Sequence, residues 1–414
     1  MNEIQPAARL RIISRIKRLV LKHHFNVGNI DLAGWCKEVD ERIPALIEAE
    51  DNNAFEGGIQ DLLGKLKSSH TDFYCCDRNP IKPEHAIGAT LRSVTFLDTQ
   101  QWMFLDVFED SPAARAGVSP GHLLLSVNGV PAAPPAYPDF RFGEEHELTV
   151  ELPNSAELRN FIVMVPQRKA TRPRLPFVEP RSIGYRMLTK RVGIVKIAYF
   201  PGMFGIRFSE VLDAAIDSLK AQGCDRLIID LRGCLGGSLG FAHLVSYMCP
   251  GRIPIGYDVT GKRQQRGYSA AQLPRVRMPD TRLGLLCRLV QFSVRDRSLM
   301  LLTQGLGRQP FHGQVAVLIN EKTSSAGEMA AQFAKDTKLA TVIGQRTAGL
   351  VLGSDMFDVG NGYTLYLPVF GWYSPGGNHT EGSGVEPDVS IDIDPVRLAG
   401  GNDIQLNKAL EILQ

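Results

Sequence analysis

The sequence predicts an α/β protein, and three observations carry that prediction. Arg226–Leu231 (RLIIDL) and Val315–Ile319 (VAVLI) are continuous apolar runs, the pattern of strands buried on both faces. Phe208–Ala221, ahead of the first run, and residues 325–337, behind the second, have helical periodicity. Strands alternating with helices in this way make a βαβ sheet.

Composition fits that class. A chain of 414 residues allows two to four domains, at roughly 100–200 residues each. Apolar residues make up 44% and charged residues 22%, close to the globular average. A net charge of +2 is too near neutral for a nucleic-acid protein and gives no electrostatic reason to expect an anionic partner.

The first 80 residues read as a helical region. In MNEIQPAARLRIISRIKRLVLKHHF, Arg9, Arg11, Arg15, Lys17 and Arg18 interrupt the apolar residues, so a secretory signal is not expected. Leu10, Ile13, Leu19 and Val20 fall at helical spacing, which predicts an amphipathic helix of the folded protein. A basic helix of this kind also suits a membrane surface. No apolar stretch of about 20 residues exists, so no transmembrane helix is expected. Asp31 is placed to cap a second helix, in which Pro44 should force a break or bend. A third runs over 52–67 and ends at Ser68-Ser69-His70-Thr71, and Pro80 and Pro83 mark a linker.

Residues 86–168 read as a small β-rich unit. Apolar residues alternate in MFLDVFE (103–109). Ser111, Pro112 and Gly117 suit the cap, first position and end of a short helix. His122–Val127 is a strand, followed by the tight-turn pair Asn128-Gly129. From 183 to the end comes the larger α/β unit, with further strands at Val192–Ile197 and Val342–Ile343. An Arg-rich stretch at 251–310 interrupts it and reads as an assembly arm or a solvated excursion, or a lid, with a helix expected at 282–304. The seven cysteines are scattered without a CxxC pair, so neither a zinc site nor a redox pair is indicated. Reduced thiols and a cytoplasmic location are the expectation.

Three constellations can carry chemistry. Asn320-Glu321-Lys322-Thr323-Ser324-Ser325-Ala326-Gly327-Glu328 follows a buried strand and opens a helix. Amides at a helix start are unpaired and stabilise a developing oxyanion, although Ser324 or Ser325 equally well caps the helix. Asp230-Leu231-Arg232-Gly233-Cys234-Leu235-Gly236-Gly237 follows the other buried strand, and its glycines let backbone amides approach a ligand closely. An ordinary βα turn reads the same, but a phosphate loop is excluded because GxxxxGK[ST] is absent. Ser69-His70 stands at a helix end, where a lone histidine is more often structural.

Taken in order, the β-rich unit, DLRGCLGG, NEKTSSAGE and the closing Gly382-Ser383-Gly384-Val385-Glu386-Pro387-Asp388 resemble the tail-specific, or C-terminal-processing, protease family. The resemblance covers nearly the whole chain from about residue 55. It implies a crotonase/ClpP-like α/β core, an inserted PDZ-like domain, Ser325 as nucleophile, and the amides of Ala326 and of Gly236 or Gly237 as oxyanion donors. One branch supplies a lysine base in a stretch resembling G-E-R-T-x-G-K. Here the stretch is Gly344-Gln345-Arg346-Thr347-Ala348-Gly349-Leu350, and Leu350 cannot take a proton. The branch resembling the tricorn core protease uses a histidine instead, and Lys67-Ser68-Ser69-His70-Thr71 fits its pattern. That resemblance makes His70 the base and Ser69 its support, with Glu381, or failing it Glu386, behind Ser69. Within the PDZ-like unit, Ile87-Gly88-Ala89 is the expected carboxylate-binding loop, with Leu91 beside it.

The implied function is a serine endopeptidase needing no metal or organic cofactor, acting on peptides and assembling as a homo-oligomer in the manner of relatives of this core. The competing readings are a catalytically silent relative that binds peptides or small apolar ligands, a crotonase-like acyl-thioester enzyme, and an adaptor working through the β-rich unit.

Overall fold

The computed structural model describes residues 3–25, 30–75, 82–167, 181–202, 205–279, 284 and 297–414. Three six-stranded sheets are found among them.

The core sheet contains β8 (Ile183–Met187), β9 (Val192–Ile197), β10 (Arg226–Asp230), β14 (Val315–Ile319), β15 (Thr341–Gly344) and β18 (Val389–Ser390). Its order is β18-β15-β14-β10-β9-β8, parallel except for β8 against β9. The apolar runs are continuous because both faces are covered. Leu227, Ile229, Val315 and Val317 pack with α6 (Ile206–Ala221), α7 (Phe241–Ser246) and α9 (Ala326–Thr337). Ile228, Ala316 and Leu318 face α11 (Ile404–Ile412), which follows the short α10 (Pro395–Ala399). The carboxyl ends of β10 and β14 deliver the two glycine- and serine-bearing loops side by side.

The second sheet corrects three expectations. It has the order β1-β17-β11-β13-β12, with β16 also on β17. The strands are β1 (Asp72–Cys75), β11 (Pro254–Thr260), β12 (Arg275–Val276), β13 (Leu299–Leu302), β16 (Gly353–Gly360) and β17 (Tyr363–Tyr373). First, the 251–310 stretch is no excursion, because β11 pairs with β17 and β13, and Ile255, Val259 and Leu301 are buried. Second, Leu299–Leu302 is strand, not helix; most of the expected 282–304 helix lies outside the described residues, while α8 (Gly261–Arg266) caps β11. Third, Asp72–Cys75 is a strand that the sequence pattern does not signal, and it ties the N-terminal helices to β17 in antiparallel register, Asp72 opposite Tyr366.

Those helices, α1 (Pro6–His23), α2 (Leu32–Ile47) and α3 (Asn52–Gly64), cover one face of this sheet through Ile12, Ile16, Phe55, Phe73, Tyr363 and Leu365. Of the expected apolar stripe of α1, Ile13 and Val20 are buried and Leu19 packs against the same cluster, whereas Leu10 is exposed and Ile12 and Arg9 are buried instead. Arg9 is tolerated there because Nη1 donates to the Ile47 and Ala49 carbonyls and the guanidinium lies over Phe55. Asp31 caps α2, and the helix continues through Pro44. Pro44 stands in the last turn, so it forfeits a single backbone bond. Part of the expected linker, including Pro80, lies outside the described residues; Pro83 opens α4 (Pro83–Ala86).

The third sheet is the β-rich unit: β2 (Ala89–Phe96), β3 (Thr99–Val107), β4 (Leu123–Val127), β5 (Val130–Pro131), β6 (Glu145–Leu152) and β7 (Glu157–Met164), all antiparallel. Ser111 Oγ accepts from the Ala114 amide to cap α5 (Pro112–Ala116), and Gly117 ends it at φ +95°. Asn128 and Gly129 turn at φ +51° and +74°, as a two-residue hairpin requires. Among the described residues, no helix is long and apolar enough to cross a membrane.

Candidate active site

Ser325 is the residue at which the chain leaves the β14 loop and enters α9. Its backbone is at φ +52°, ψ −119°, a conformation that ordinary residues avoid. Its amide is held from two sides. It donates to the Leu350 carbonyl at 2.9 Å and to Glu328 Oε2 at 3.1 Å. Glu328 also accepts from Thr347 Oγ1 and from the Gly349 and Leu350 amides, at 2.5–2.7 Å. This carboxylate is fully buried, and burial pushes its pKa up while the four donors pull it back. It ties the serine to the 347–350 stretch in which a lysine is missing.

The neighbouring serine is engaged elsewhere. Ser324 donates to the Cys234 carbonyl through its amide at 2.9 Å and its hydroxyl at 3.2 Å. The same bonds draw the β10 loop onto the β14 loop. Gly236 lies directly against Ser325: a Cβ on Gly236 would come within 2.5 Å of Ser325 Cβ and 3.1 Å of its Oγ. Gly236 and Gly237 turn at φ +78° and +125°. Burial raises the Cys234 thiol to about 12, so it stays protonated at neutral pH. Arg232 anchors the base of the turn, with Nε and Nη2 donating to Asp230 at 2.9 Å.

Ser69 and His70 precede β1, and Glu381 follows β17, so the pairing of those strands brings the three into one neighbourhood. Glu381 accepts from the Ser69 amide at 2.9 Å, from Ser69 Oγ at 3.0 Å and from the Val351 amide at 2.9 Å. Ser69 Oγ is 2.9 Å from His70 Nδ1. The Ser69 hydroxyl has one proton, and a carboxylate can only accept it. Nδ1 therefore carries the ring proton and donates to Ser69, which leaves Nε2 of the neutral ring with a free lone pair. Burial lowers the His70 pKa below its ordinary 6.5, and the Glu381 charge partly offsets this. His70 takes φ +55° and packs beside Tyr366. Among the hydrogen bonds of the described residues, none joins His70 to Ser325. The two are linked through Ser69, Glu381, Val351 and the adjacent Leu350.

Glu386 is turned to Arg346. Lys322 reaches Tyr137 Oη at 3.4 Å and Lys335 reaches the Glu386 carbonyl at 2.6 Å. The Ile87 and Gly88 amides both donate to the Pro83 carbonyl, Ala89 lies within the β2–β3 ladder, and Ile87, Ala89 and Leu91 are buried. The expected carboxylate-binding loop thus has the Ile87 and Gly88 donors already satisfied, because α4 folds back over it.

Sequence reasoning missed Glu328 and Asn320. The first had a signal, the S-x-x-E spacing of a capping box beginning at Ser325. The second lies in the same stretch, and only the fold reveals its partner.

The core matches the family model for peptidase family S41 over residues 191–391. A CtpA-like serine protease assigned in Staphylococcus aureus is 22% identical over 93% of this chain and 65% of its own length. A tricorn protease homologue assigned in Streptomyces coelicolor is 24% identical over 100% of this chain and 33% of its own. The chain thus spans less than two thirds of these relatives. Among solved structures, the photosystem II D1 C-terminal processing protease aligns over 94% of this chain and 93% of that one, with TM-score 0.54 and 16% identity. An S41 protease assigned in Bacteroides fragilis aligns over 96% of both chains with TM-score 0.60 and 16% identity. At these identities the structures speak for the fold, and the family model for the core: residues 191–391 of this chain match the model of peptidase family S41.

Proposed function

We propose that the protein is a serine endopeptidase in which Ser325 is the nucleophile and His70 the general base. The observation that carries this reading is the Glu381–Ser69–His70 relay, which leaves His70 Nε2 as a proton acceptor on the neutral ring. The staphylococcal and streptomycete relatives add support, since their names record a serine protease and a tricorn protease homologue. In this mechanism His70 takes the Ser325 hydroxyl proton as Oγ attacks a peptide carbonyl. The Ala326 amide, at the first position of α9, and an amide from Gly236 or Gly237 hold the oxyanion. His70 then protonates the leaving amine, and water hydrolyses the acyl-enzyme by the reverse sequence. Ser69 and Glu381 keep the imidazole in its tautomer.

The parallel core with helices on both faces supports a crotonase/ClpP-like arrangement. The antiparallel β-rich unit with its two short helices supports the PDZ-like assignment, and the division into 1–80, 86–168 and 183–414 belongs to the same proposal. That unit gates or supports the site, or takes substrate tails once α4 releases the Ile87 and Gly88 amides. A reducing, cytoplasmic setting belongs to the same proposal.

A second reading has a specific observation in its favour. With Leu350 in place of a lysine, and no bond between His70 and Ser325, the chain fits a silent relative that holds peptides. Turnover of an unfolded protein substrate separates the two. We expect wild-type hydrolysis, and loss of turnover with unchanged circular dichroism in Ser325→Ala, because a half-buried serine at a loop end contributes little packing. Cleavage by Ser325→Ala near the wild-type rate refutes the nucleophile.

A further inference from the structure

The β-rich unit meets the two loops of the proposed active site through a buried carboxylate. Asp106, on β3, is 4% exposed. Its oxygens accept from Asn320 Nδ2 at 3.2 and 3.0 Å, and Oδ2 also accepts from Thr90 Oγ1 at 2.7 Å. Asn320 is 1% exposed and passes the contact on. Its Oδ1 accepts from the Gly233 amide at 3.0 Å and from the Lys322 amide at 3.0 Å. Gly233 begins the turn that ends at Gly236 and Gly237, and Lys322 begins the loop that ends at Ser325. One side-chain amide thus fixes the spacing of both loops, and its orientation is set from the other unit.

Among the described residues, no other contact across the seam joins both loops. Apolar contact across it runs from Met103 and Leu105 to Ile393 and Leu398, in the C-terminal segment. Arg92–Glu321 and Lys322–Tyr137 are half-exposed contacts at 3.4 Å, of a kind that contributes little. Beside Asp106 lies a cavity of about 70 Å³, lined by Leu105, Pro120, Lys196, Arg232 and Asp403 among others. Gly233 leaves room for the carboxylate: a Cβ there would lie 2.7 Å from Asp106 Cγ.

We propose that Asp106 is a positioning residue for the peptidase reaction, holding the 232–237 turn and the serine loop in register through Asn320. This rests on the peptidase reading given above. The bond is charge-assisted and buried, so it is directional and costly to leave unmade.

The test is an exchange of partners, read as hydrolysis of a quenched fluorescein-casein substrate. Asn320→Asp sets two buried carboxylates face to face. It should lower kcat by about tenfold or more with KM held within about threefold, as loss of oxyanion-hole geometry does. Adding Asp106→Asn restores a donor facing an acceptor. The carboxylate introduced at position 320 still accepts the Gly233 and Lys322 amides, and the side-chain amide introduced at position 106 donates to it. The double variant should recover kcat to within about threefold of wild type, a rescue that a merely destabilising lesion does not give. Wild-type kcat in N320D, or a double variant no better than N320D, overturns the proposal. If N320D does not fold, Asp106→Ser carries the test: a fall in kcat at constant KM supports the role, and unchanged kcat overturns it. Wild type and Ser325→Ala run alongside. Absence of wild-type turnover removes the peptidase reading and this role with it, whereas an active wild type with an unaffected N320D removes only the role of Asp106.

Discussion

At the scale of single residues, the site concentrates backbone strain where the chemistry is proposed. Ser325 and His70 both lie at positive φ, each at a cost of about 1–3 kcal/mol that the surrounding bonds must offset. Glu328 does so at Ser325. Gly236 is the other fixed point. Gly236→Ala puts a methyl within 2.5 Å of Ser325 Cβ at φ +78°, so either the serine or the turn must move. We expect that variant to lose hydrolysis by about a hundredfold, the scale of one oxyanion donor. An active Gly236→Ala would detach the 232–237 turn from the reaction. Protonation of His70 supplies a second prediction. Only the neutral ring accepts a proton, and its folded pKa lies below 6.5. Activity should therefore hold from neutral pH down to an inflection below 6.5 and then fall with acid. Stability falls in the same direction, because the unfolded chain binds that proton more readily than the folded one. An inflection above about 7 contradicts the assignment. Ser325 is readable from the sequence, since a serine after a buried strand and before a helix has few places to point. The four donors to Glu328 are not, because three come from residues 19–22 positions downstream.

At the scale of elements, the decisive piece is the four-residue strand β1. It is illegible in the sequence because DFYC is too short for periodicity to register, and its stability comes from pairing with β17. Phe73 is its anchor, fully buried, stacked on Tyr363 at 4.7 Å and edge-on to Phe55. Phe73→Ala should cost about 3–5 kcal/mol. It should also reduce hydrolysis in protein that is still folded, because the strand that aims His70 is loosened. Unchanged hydrolysis at full folded population would mean that β1 does not position the imidazole. The core strands are legible because β10 and β14 are covered on both faces, so Leu227–Ile229 and Val315–Ile319 are apolar without alternation. The 251–310 stretch misleads because arginine-bearing segments separate its strands, and the partner that ties β11 into the sheet, β17, lies about a hundred residues downstream. Pro44 misleads because sequence pattern does not locate the end of α2 to within a turn.

At the scale of the molecule, three sheets from separate stretches of chain converge on the carboxyl ends of β10 and β14. The core sheet presents Ser325 and Gly236, the second sheet brings Ser69-His70 and Glu381 together, and the β-rich unit reaches both loops through Asp106. Motif order in the sequence reports which parts are present. Their convergence is beyond it, since Ser69 and Glu381 are 312 positions apart. Labelling with a fluorophosphonate probe, read by peptide mass spectrometry, tests that convergence most directly. The account predicts modification at Ser325 in the wild type and its loss in His70→Ala at equal folded population. Labelling of Ser325 at the same rate in His70→Ala would contradict it.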